Sequence, residues 1–320
     1  MQLTSNGRKI DYLRFSITDK CDLRCRYCMP EKGITAKKHY EILRVEEMHR
    51  IIAIFNNCGV RKLRITGGEP LVSKTLFPLL ESLTDIDLDD IGLTTNGQML
   101  ADMAKDLLAA GIKRINISLD TLNAADFVWI TRGGSLAKTM DGIDAALKTG
   151  FHPVKLNTVA VKGFNDNQFI NLALLCKDKP LHLRFIELMP IGTADLWNEN
   201  NYISAEEIKQ ILLPLGELKP IKVQGSGPAK NYIIDGFRGS IGFITAISEH
   251  FCNQCNRLRF TFDGKLYTCL HYDKCYDFFP LLRENASDQE IINLIQEAIS
   301  HKPLQHDLGS QTRDMGTIGG

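Results

Sequence analysis

Six short runs of β-branched and aliphatic residues recur along the N-terminal part of the chain: Tyr12–Ile17, Leu63–Thr66, Ile91–Thr95, Ile115–Leu119, Val154–Val161 and His182–Leu188. Segments with helical periodicity separate them. In Val45–Cys58 the residues Val45, Met48, Ile51, Ile52 and Phe55 follow the 3.6-residue period. Leu100–Ala110 and Leu136–Thr149 run into Gly111 and Gly150, residues suited to a helix C-terminus, and Asp166–Cys176 continues the series. Six strand–helix alternations imply a parallel sheet with right-handed crossovers. Strands apolar on both faces fit a sheet covered by helices. No Gly-x-Gly-x-x-Gly follows the first strand, which leaves a dinucleotide-binding sheet little support. The expected fold is α/β, a partial (β/α)6 barrel of TIM type over residues 1–213, with its chemistry at the C-terminal tips of the strands.

Beyond that the character changes. Pro214, Gly216, Pro220, Gly225, Gly227 and Pro228 break the chain within a short stretch. Tyr232–Asp235, Gly239–Ile244, Arg257–Phe262 and Lys265–Leu270 read as short strands, with Asp263-Gly264 as a hairpin turn. Residues 214–320 are expected to form a smaller antiparallel β-rich domain with a last helix over Ile291–Ile299. The tail His301–Gly320 is polar and reads as unstructured on its own.

Charge narrows the function. Lys plus Arg number 38 and Asp plus Glu number 38, so the chain is neutral overall. A non-specific nucleic-acid binder or a polybasic membrane-surface protein needs a basic excess. No apolar run approaches the ~20 residues of a membrane helix, and the N-terminal segment Met1–Lys9 is polar. A soluble, cytoplasmic protein is expected, with no nucleic-acid or membrane partner.

In such a compartment the nine cysteines are not a disulfide framework. Six of them fall into two tight groups. Cys21-x3-Cys25-x2-Cys28 follows the first strand, at a barrel tip. Three thiolates there can hold three irons of a [4Fe–4S] cube and leave the fourth open. A structural zinc ion borrowing a ligand such as His39 is the bland alternative. After the second strand comes Thr66-Gly67-Gly68-Glu69-Pro70, where glycines permit close backbone approach and Glu69 offers acceptors. The second group is Cys252-x2-Cys255-x13-Cys269. On local sequence alone a zinc knuckle is the favoured reading, with Cys275, His271 or His250 as fourth ligand. Cys58 and Cys176 lie near helix ends, where a buried free thiol is ordinary.

The first triad, with Tyr27 before its last cysteine and the Gly-Gly-Glu-Pro segment, resembles the signature of the radical S-adenosylmethionine (SAM) enzymes. Over nearly its full length the chain resembles the GTP 3′,8-cyclase family of molybdenum cofactor biosynthesis. The match includes both triads, Cys255-Asn256-Arg257-Leu258-Arg259, Thr94-Thr95-Asn96-Gly97 and Ile318-Gly319-Gly320. The resemblance implies two [4Fe–4S] clusters, held by Cys21, Cys25 and Cys28 and by Cys252, Cys255 and Cys269. It implies SAM contacts from Tyr27, Gly68, Glu69, Ser118 and Met189. It implies GTP contacts from Arg14, Arg64, Thr95, Lys155, Arg257, Leu258 and Arg259, with Arg14 ending its strand at the mouth that holds the first triad. Arginine forks suit the oxygens of a triphosphate. Gly319 and Gly320 would enter the active site, with Arg313 on the same tail, and join Arg257 and Arg259 in supporting turnover.

The implied chemistry begins with a 5′-deoxyadenosyl radical that takes hydrogen from the ribose C3′ of GTP. The carbon radical then attacks guanine C8, and a later reduction and proton transfer give the cyclised nucleotide. The implied partners are an electron donor, a downstream cyclic pyranopterin monophosphate synthase and a second copy of the chain. Two rivals stand beside this reading. One is a peptide-modifying radical SAM enzyme with auxiliary clusters, which has no reason for a basic triphosphate pocket. The other is a non-enzymatic zinc or RNA-binding module, which predicts zinc and no sulfide. A P-loop is excluded, because Gly264-Lys265 is followed by Leu266.

Overall fold

The structure, a computed structural model, describes residues 2–191, 196–225, 227–306 and 315–319. It opens with a small hairpin of β1 (Thr4–Ser5) and β2 (Arg8–Lys9), turned through Asn6 and Gly7 at positive φ. Strands and helices then alternate: β3 (Tyr12–Ser16), α1 (Val45–Asn57), β4 (Lys62–Thr66), α2 (Leu76–Ser82), β5 (Asp90–Thr95), α3 (Leu100–Ala109), β6 (Arg114–Ser118), α4 (Ala124–Thr131) and α5 (Leu136–Thr149). The series ends with β7 (Val154–Ala160), α6 (Phe169–Asp178), β8 (Leu181–Glu187) and α7 (Ala205–Leu212). All six expected strands form close to their expected bounds. They pair in parallel and in chain order from β3 to β8.

Three helices of this alternating series were not expected. α4 is apolar nearly all round, and its start is marked only by Asn123, whose side chain accepts from the amides of Ala125 and Asp126. α7 begins at a Ser204–Glu207 capping box. α2 is a short helix whose buried face is Leu76, Leu79 and Leu80. Gly150, at φ 99°, caps α5 as expected.

The later strands are β9 (Lys219–Ile221), β10 (Lys230–Ile233), β11 (Ser240–Ile244), β12 (Arg257–Phe260), β13 (Lys265–Tyr267) and β14 (Cys275–Asp277). The helices α8 (Phe279–Arg283), α9 (Asp288–Ser300) and α10 (Met315–Ile318) complete the described elements. The antiparallel pairs expected after residue 213 are present, but they extend the barrel sheet instead of making one of their own. β12 pairs in parallel with β3, and β11 in parallel with β8. Antiparallel strands continue outward from each, giving one 12-stranded sheet in the order β14-β13-β12-β3-β4-β5-β6-β7-β8-β11-β10-β9. Both open edges of the six-stranded unit are thereby paired, which removes two templates for aggregation. Arg257 of β12 and Ile244 of β11, from opposite sides of the sheet, line the same cavity. The sheet is therefore curled into a partial barrel. Among the described residues no helix is long and apolar enough to cross a membrane.

The edge junction is held by aromatic packing. Phe260 is fully buried and stacks on Phe15 at 5.2 Å, with Phe55 of α1 at 6.0 Å and Phe278 at 5.5 Å. Alternation along β12 puts Leu258 and Phe260 into this core and Arg257 and Arg259 on the inner face. Phe260→Ala should remove the shared contact of β3, β12 and α1 and destabilise the chain by about 3–5 kcal/mol, read from urea unfolding.

Candidate active site

Two cavities of about 180 and 190 Å³ occupy the barrel interior. They share Asn157, Ile186, Met189 and Met315 as a dividing wall. The first triad lines one and the second triad lines the other.

Cys21, Cys25 and Cys28 lie on the loop after β3, all half-buried. This loop is clamped to the turn after β4. The Gly68 amide donates to the Thr18 carbonyl at 2.7 Å, and the Glu69 amide to the Lys20 carbonyl at 2.8 Å. A Cβ on Gly68 would fall 2.4 Å from the Lys20 oxygen, and one on Gly67 2.9 Å from Thr18. The glycines expected to admit a ligand thus admit the cysteine loop itself. Glu69 is buried and accepts from Leu71 N, Thr95 Oγ1 and Asn96 N at 3.0, 2.8 and 2.7 Å. Burial outweighs these bonds and raises its carboxyl to about 7. Tyr27 donates to Asp120 Oδ2 at 2.8 Å, which fixes its ring beside the triad. Ser118, at the tip of β6, and Met189, just past β8, line the same cavity.

The second triad stands differently. Cys252, Cys255 and Cys269 line a cavity that also holds Arg14, Arg64, Arg114, Lys155, Arg184, Arg257 and Arg259. Asp90, paired with Arg114, is the only carboxylate among its described lining residues. Register explains the gathering. Arg259, Arg14, Arg64, Gly92 and Arg114 are successive Cα partners across β12, β3, β4, β5 and β6. Gly92 leaves the space that the Arg64 guanidinium fills, since a Cβ there would lie 2.2 Å from Nη1. Arg64 Nε donates to the Tyr12 hydroxyl at 3.1 Å and Nη1 to the Leu93 carbonyl at 3.2 Å. Burial lowers Arg14 to about 10, Arg184 to about 9 and Lys155 to about 7, with neighbouring cations adding to each shift. Burial alone would raise the Tyr12 phenol, but Arg64, Arg14 and Arg257 bring it down to about 8.

Three expected placements change. Arg14 lies in the middle of β3 and faces the second triad's cavity, because the pleat turns it inward well below the tip. Thr95 belongs to the first triad's cavity, with its hydroxyl committed to Glu69. Leu258 points into the core, away from both cavities. Arg64, Lys155, Arg257 and Arg259 come together as expected. Arg114 and Arg184 were missed. Arg184 is buried, and its Nε and Nη2 have no hydrogen-bond partner.

The tail is ordered where it is described. The Met315 amide donates to the Cys28 carbonyl at 3.1 Å, and Ile318 is buried. Arg259 Nη1 donates to the Gly319 carbonyl. Gly319 has φ +78°, and a Cβ would fall 2.2 Å from Thr66 Oγ1, so glycine is required there. Gly320 and Arg313 lie outside the described residues.

The donor sets fit iron–sulfur centres. Each cavity presents three thiols, and His271 and His306 also line the second. Among the described residues no three His, Cys, Asp or Glu side chains converge as around one ion. Three thiols suit a cube whose fourth corner is left for a ligand. Burial raises Cys21 to about 12. Burial also opposes ionisation of Cys255, but Arg257 and Lys302 outweigh it and lower that thiol to about 6. Cys275 lies on β14 and does not line the cavity, whereas Cys269 does.

Comparison with known proteins agrees with this arrangement. The Radical SAM superfamily profile matches residues 15–176, and the Molybdenum Cofactor Synthesis C profile matches residues 181–308. The chain is similar to the GTP 3′,8-cyclase of Desulforamulus reducens, 50% identical over 320 residues and covering 98% of each chain. It is similar to the GTP 3′,8-cyclase of Pelotomaculum thermopropionicum, 49% identical over 319 residues with 98% of each covered. The chain belongs to the GTP 3′,8-cyclase family of the radical SAM superfamily. Membership brings a [4Fe–4S] cluster and SAM. Streptococcus suis SuiB bound to S-adenosylmethionine shares the fold, with a TM-score of 0.63 and 15% identity over 92% of this chain and 69% of that one.

Gly68→Ala should drive a methyl into the Lys20 carbonyl, at about 1–3 kcal/mol of overpacking. Iron analysis of a chain lacking the second triad should then show the first site largely unloaded.

Proposed function

We propose that the chain converts GTP to (8S)-3′,8-cyclo-7,8-dihydroguanosine 5′-triphosphate, the first step of molybdenum cofactor biosynthesis. The observation that carries this reading is the cation-lined cavity holding the second cysteine loop, separated from the first triad's cavity by only a few shared side chains. Cys21, Cys25 and Cys28 hold the cluster that binds SAM, with Tyr27, Gly68, Glu69, Ser118 and Met189 around that ligand. Cys252, Cys255 and Cys269 would hold a second [4Fe–4S] cluster, which would supply a coordination site for the guanine base. When bound, the first cluster and SAM supply the radical that removes hydrogen from ribose C3′.

The chain's own residues bind, orient and exclude water. Arg14, Arg64, Lys155, Arg184, Arg257 and Arg259 take the triphosphate. A polyanion supplies the negative charge that this cavity lacks, and guanidinium forks fix its oxygens. Asn157 and Met189, common to both cavities, mark where the two ligands meet. The tail lies against Arg259 and the first loop, where it covers the meeting point and limits access of water to reactive carbon. Leu258 contributes through its main chain only, and a Thr95 contact with GTP requires its hydroxyl to leave Glu69. An electron donor, a homodimeric assembly and a downstream cyclic pyranopterin monophosphate synthase complete the reading. A peptide substrate would leave the cations without a role.

The test is anaerobic reconstitution with iron and sulfide, then addition of reductant, SAM and GTP, ATP or no nucleotide. GTP-dependent release of 5′-deoxyadenosine, with a cyclised product of the same mass as GTP, is expected. Release without preference for GTP would sink the cyclase assignment. Arg184→Met removes one charge-assisted contact of about 1.5–3 kcal/mol and should weaken GTP binding about 10- to 100-fold.

Lys155 gives a pH signature. In the free chain its ammonium loses its proton near pH 7. Bound phosphates favour the charged form and move that loss to higher pH. GTP binding at pH 8 should therefore take up a proton through Lys155, and this uptake should vanish below pH 6. Calorimetry in buffers of different ionisation enthalpy measures it, and Lys155→Met should abolish it.

A further inference from the structure

Two basic side chains near opposite ends of the sequence meet behind the second cysteine loop. Lys302 follows α9 and is 3% exposed. Its Nζ carries three N–H groups and meets three acceptors. They are Cys255 Sγ at 3.8 Å, the Arg257 carbonyl at 3.0 Å and the Thr268 carbonyl. Thr268 immediately precedes Cys269. Arg8 of β2 is also buried, and its Nη1 donates to the Cys252 carbonyl at 2.8 Å. Its Nη2 reaches the Pro303 carbonyl at 3.0 Å, and Asn6 Nδ2 reaches the Lys302 carbonyl at 3.2 Å. The N-terminal hairpin and the Lys302–Pro303 segment therefore grip each other and both segments that carry the three cysteines. Neither Arg8 nor Lys302 lines the cavity, so neither is placed to touch substrate.

We propose that Lys302 and Arg8 are positioning residues of the second cluster, holding its three cysteines in register while Lys302 donates an N–H···S bond to Cys255 that raises the cluster's reduction potential. The proposal rests on the reading of those cysteines as cluster ligands. A donor to a ligating sulfur stabilises the extra negative charge of the reduced cluster, and such bonds are among the groups that set its potential. Carbonyl contacts alone would hold the fold and leave the potential unchanged. That difference separates a tuning role from a merely structural one.

The experiment uses the full chain with Cys21, Cys25 and Cys28 replaced by alanine, so that only the second site loads. Iron and sulfide are counted after anaerobic reconstitution, and the midpoint potential is followed by electron paramagnetic resonance. With Lys302→Met the midpoint should fall by the equivalent of about tenfold in a one-electron equilibrium, about 59 mV. Lys302→Arg keeps donors at this position and should stay near the parent value. An unchanged midpoint in Lys302→Met overturns the proposal. Failure of Lys302→Met to load iron, with normal loading of Lys302→Arg, supports positioning. Failure of both counts against it, since the arginine keeps the donors. A parent chain that binds no iron would instead overturn the cluster assignment itself.

Discussion

Guanidinium and ammonium groups do not gather inside a barrel without cost. Each loses hydration, and each repels the next. Here seven of them line one cavity, with Asp90 as the only carboxylate among its described lining residues. The Tyr12 hydroxyl and the Leu93 carbonyl accept from Arg64, and the Gln224 carbonyl accepts from Lys155 Nζ at 2.6 Å. Arg184 keeps two buried nitrogens without partners. The free chain therefore carries an electrostatic deficit that a polyanion relieves. The rest of the fold keeps that deficit in place: the aromatic junction at Phe260 anchors β12, and the space at Gly92 lets Arg64 lie flat against its neighbours.

The two cysteine loops meet this charge in opposite ways. Around the first there is little to favour thiolate, and burial dominates at Cys21 and Cys25. Around the second, Arg257 and Lys302 stand beside Cys255. The second loop thus holds one thiol readied for ionisation, Cys255, while burial raises Cys269 as it raises the thiols of the first. The backbone clamp between Gly68 and Thr18 gives the first loop its shape without giving it charge.

Much of this was legible in the residues. The barrel strands were readable because each is short, β-branched and bounded by helix signals. The first cysteine spacing carried its chemistry locally, whereas the second read locally as a zinc knuckle. What was not legible arises from pairing across strands. Gly92, Arg114 and Arg184 have no motif; their meaning comes from register with β4, β5 and β7. Arg14 was set at the tip of a strand whose own bounds put it in the middle, and Thr95 was set with the cations because its bond to Glu69 is a tertiary fact. The C-terminal segment had the composition of a separate sheet, and only the parallel pairings of β11 and β12 show that it completes the first one. The polar tail hid the apolar anchor at Ile318.

The pairing of β3 with β12 has a consequence for how the molecule comes together. Its neighbouring Asn256–Asp11 hydrogen bond spans 245 residues of chain. Loop closure on that scale comes late, after local strand–helix units have formed. Until then β3 presents a bare outer edge, and the barrel lacks the wall that carries Arg257 and Arg259. Arg14, Arg64, Arg114, Lys155 and Arg184 stand on β3–β8, so the closing step adds only the last two of the seven cations. Docking β12 against β3 therefore brings two further positive charges up to five already in place, and its strand pairing and the Phe15–Phe260 stack work against that repulsion.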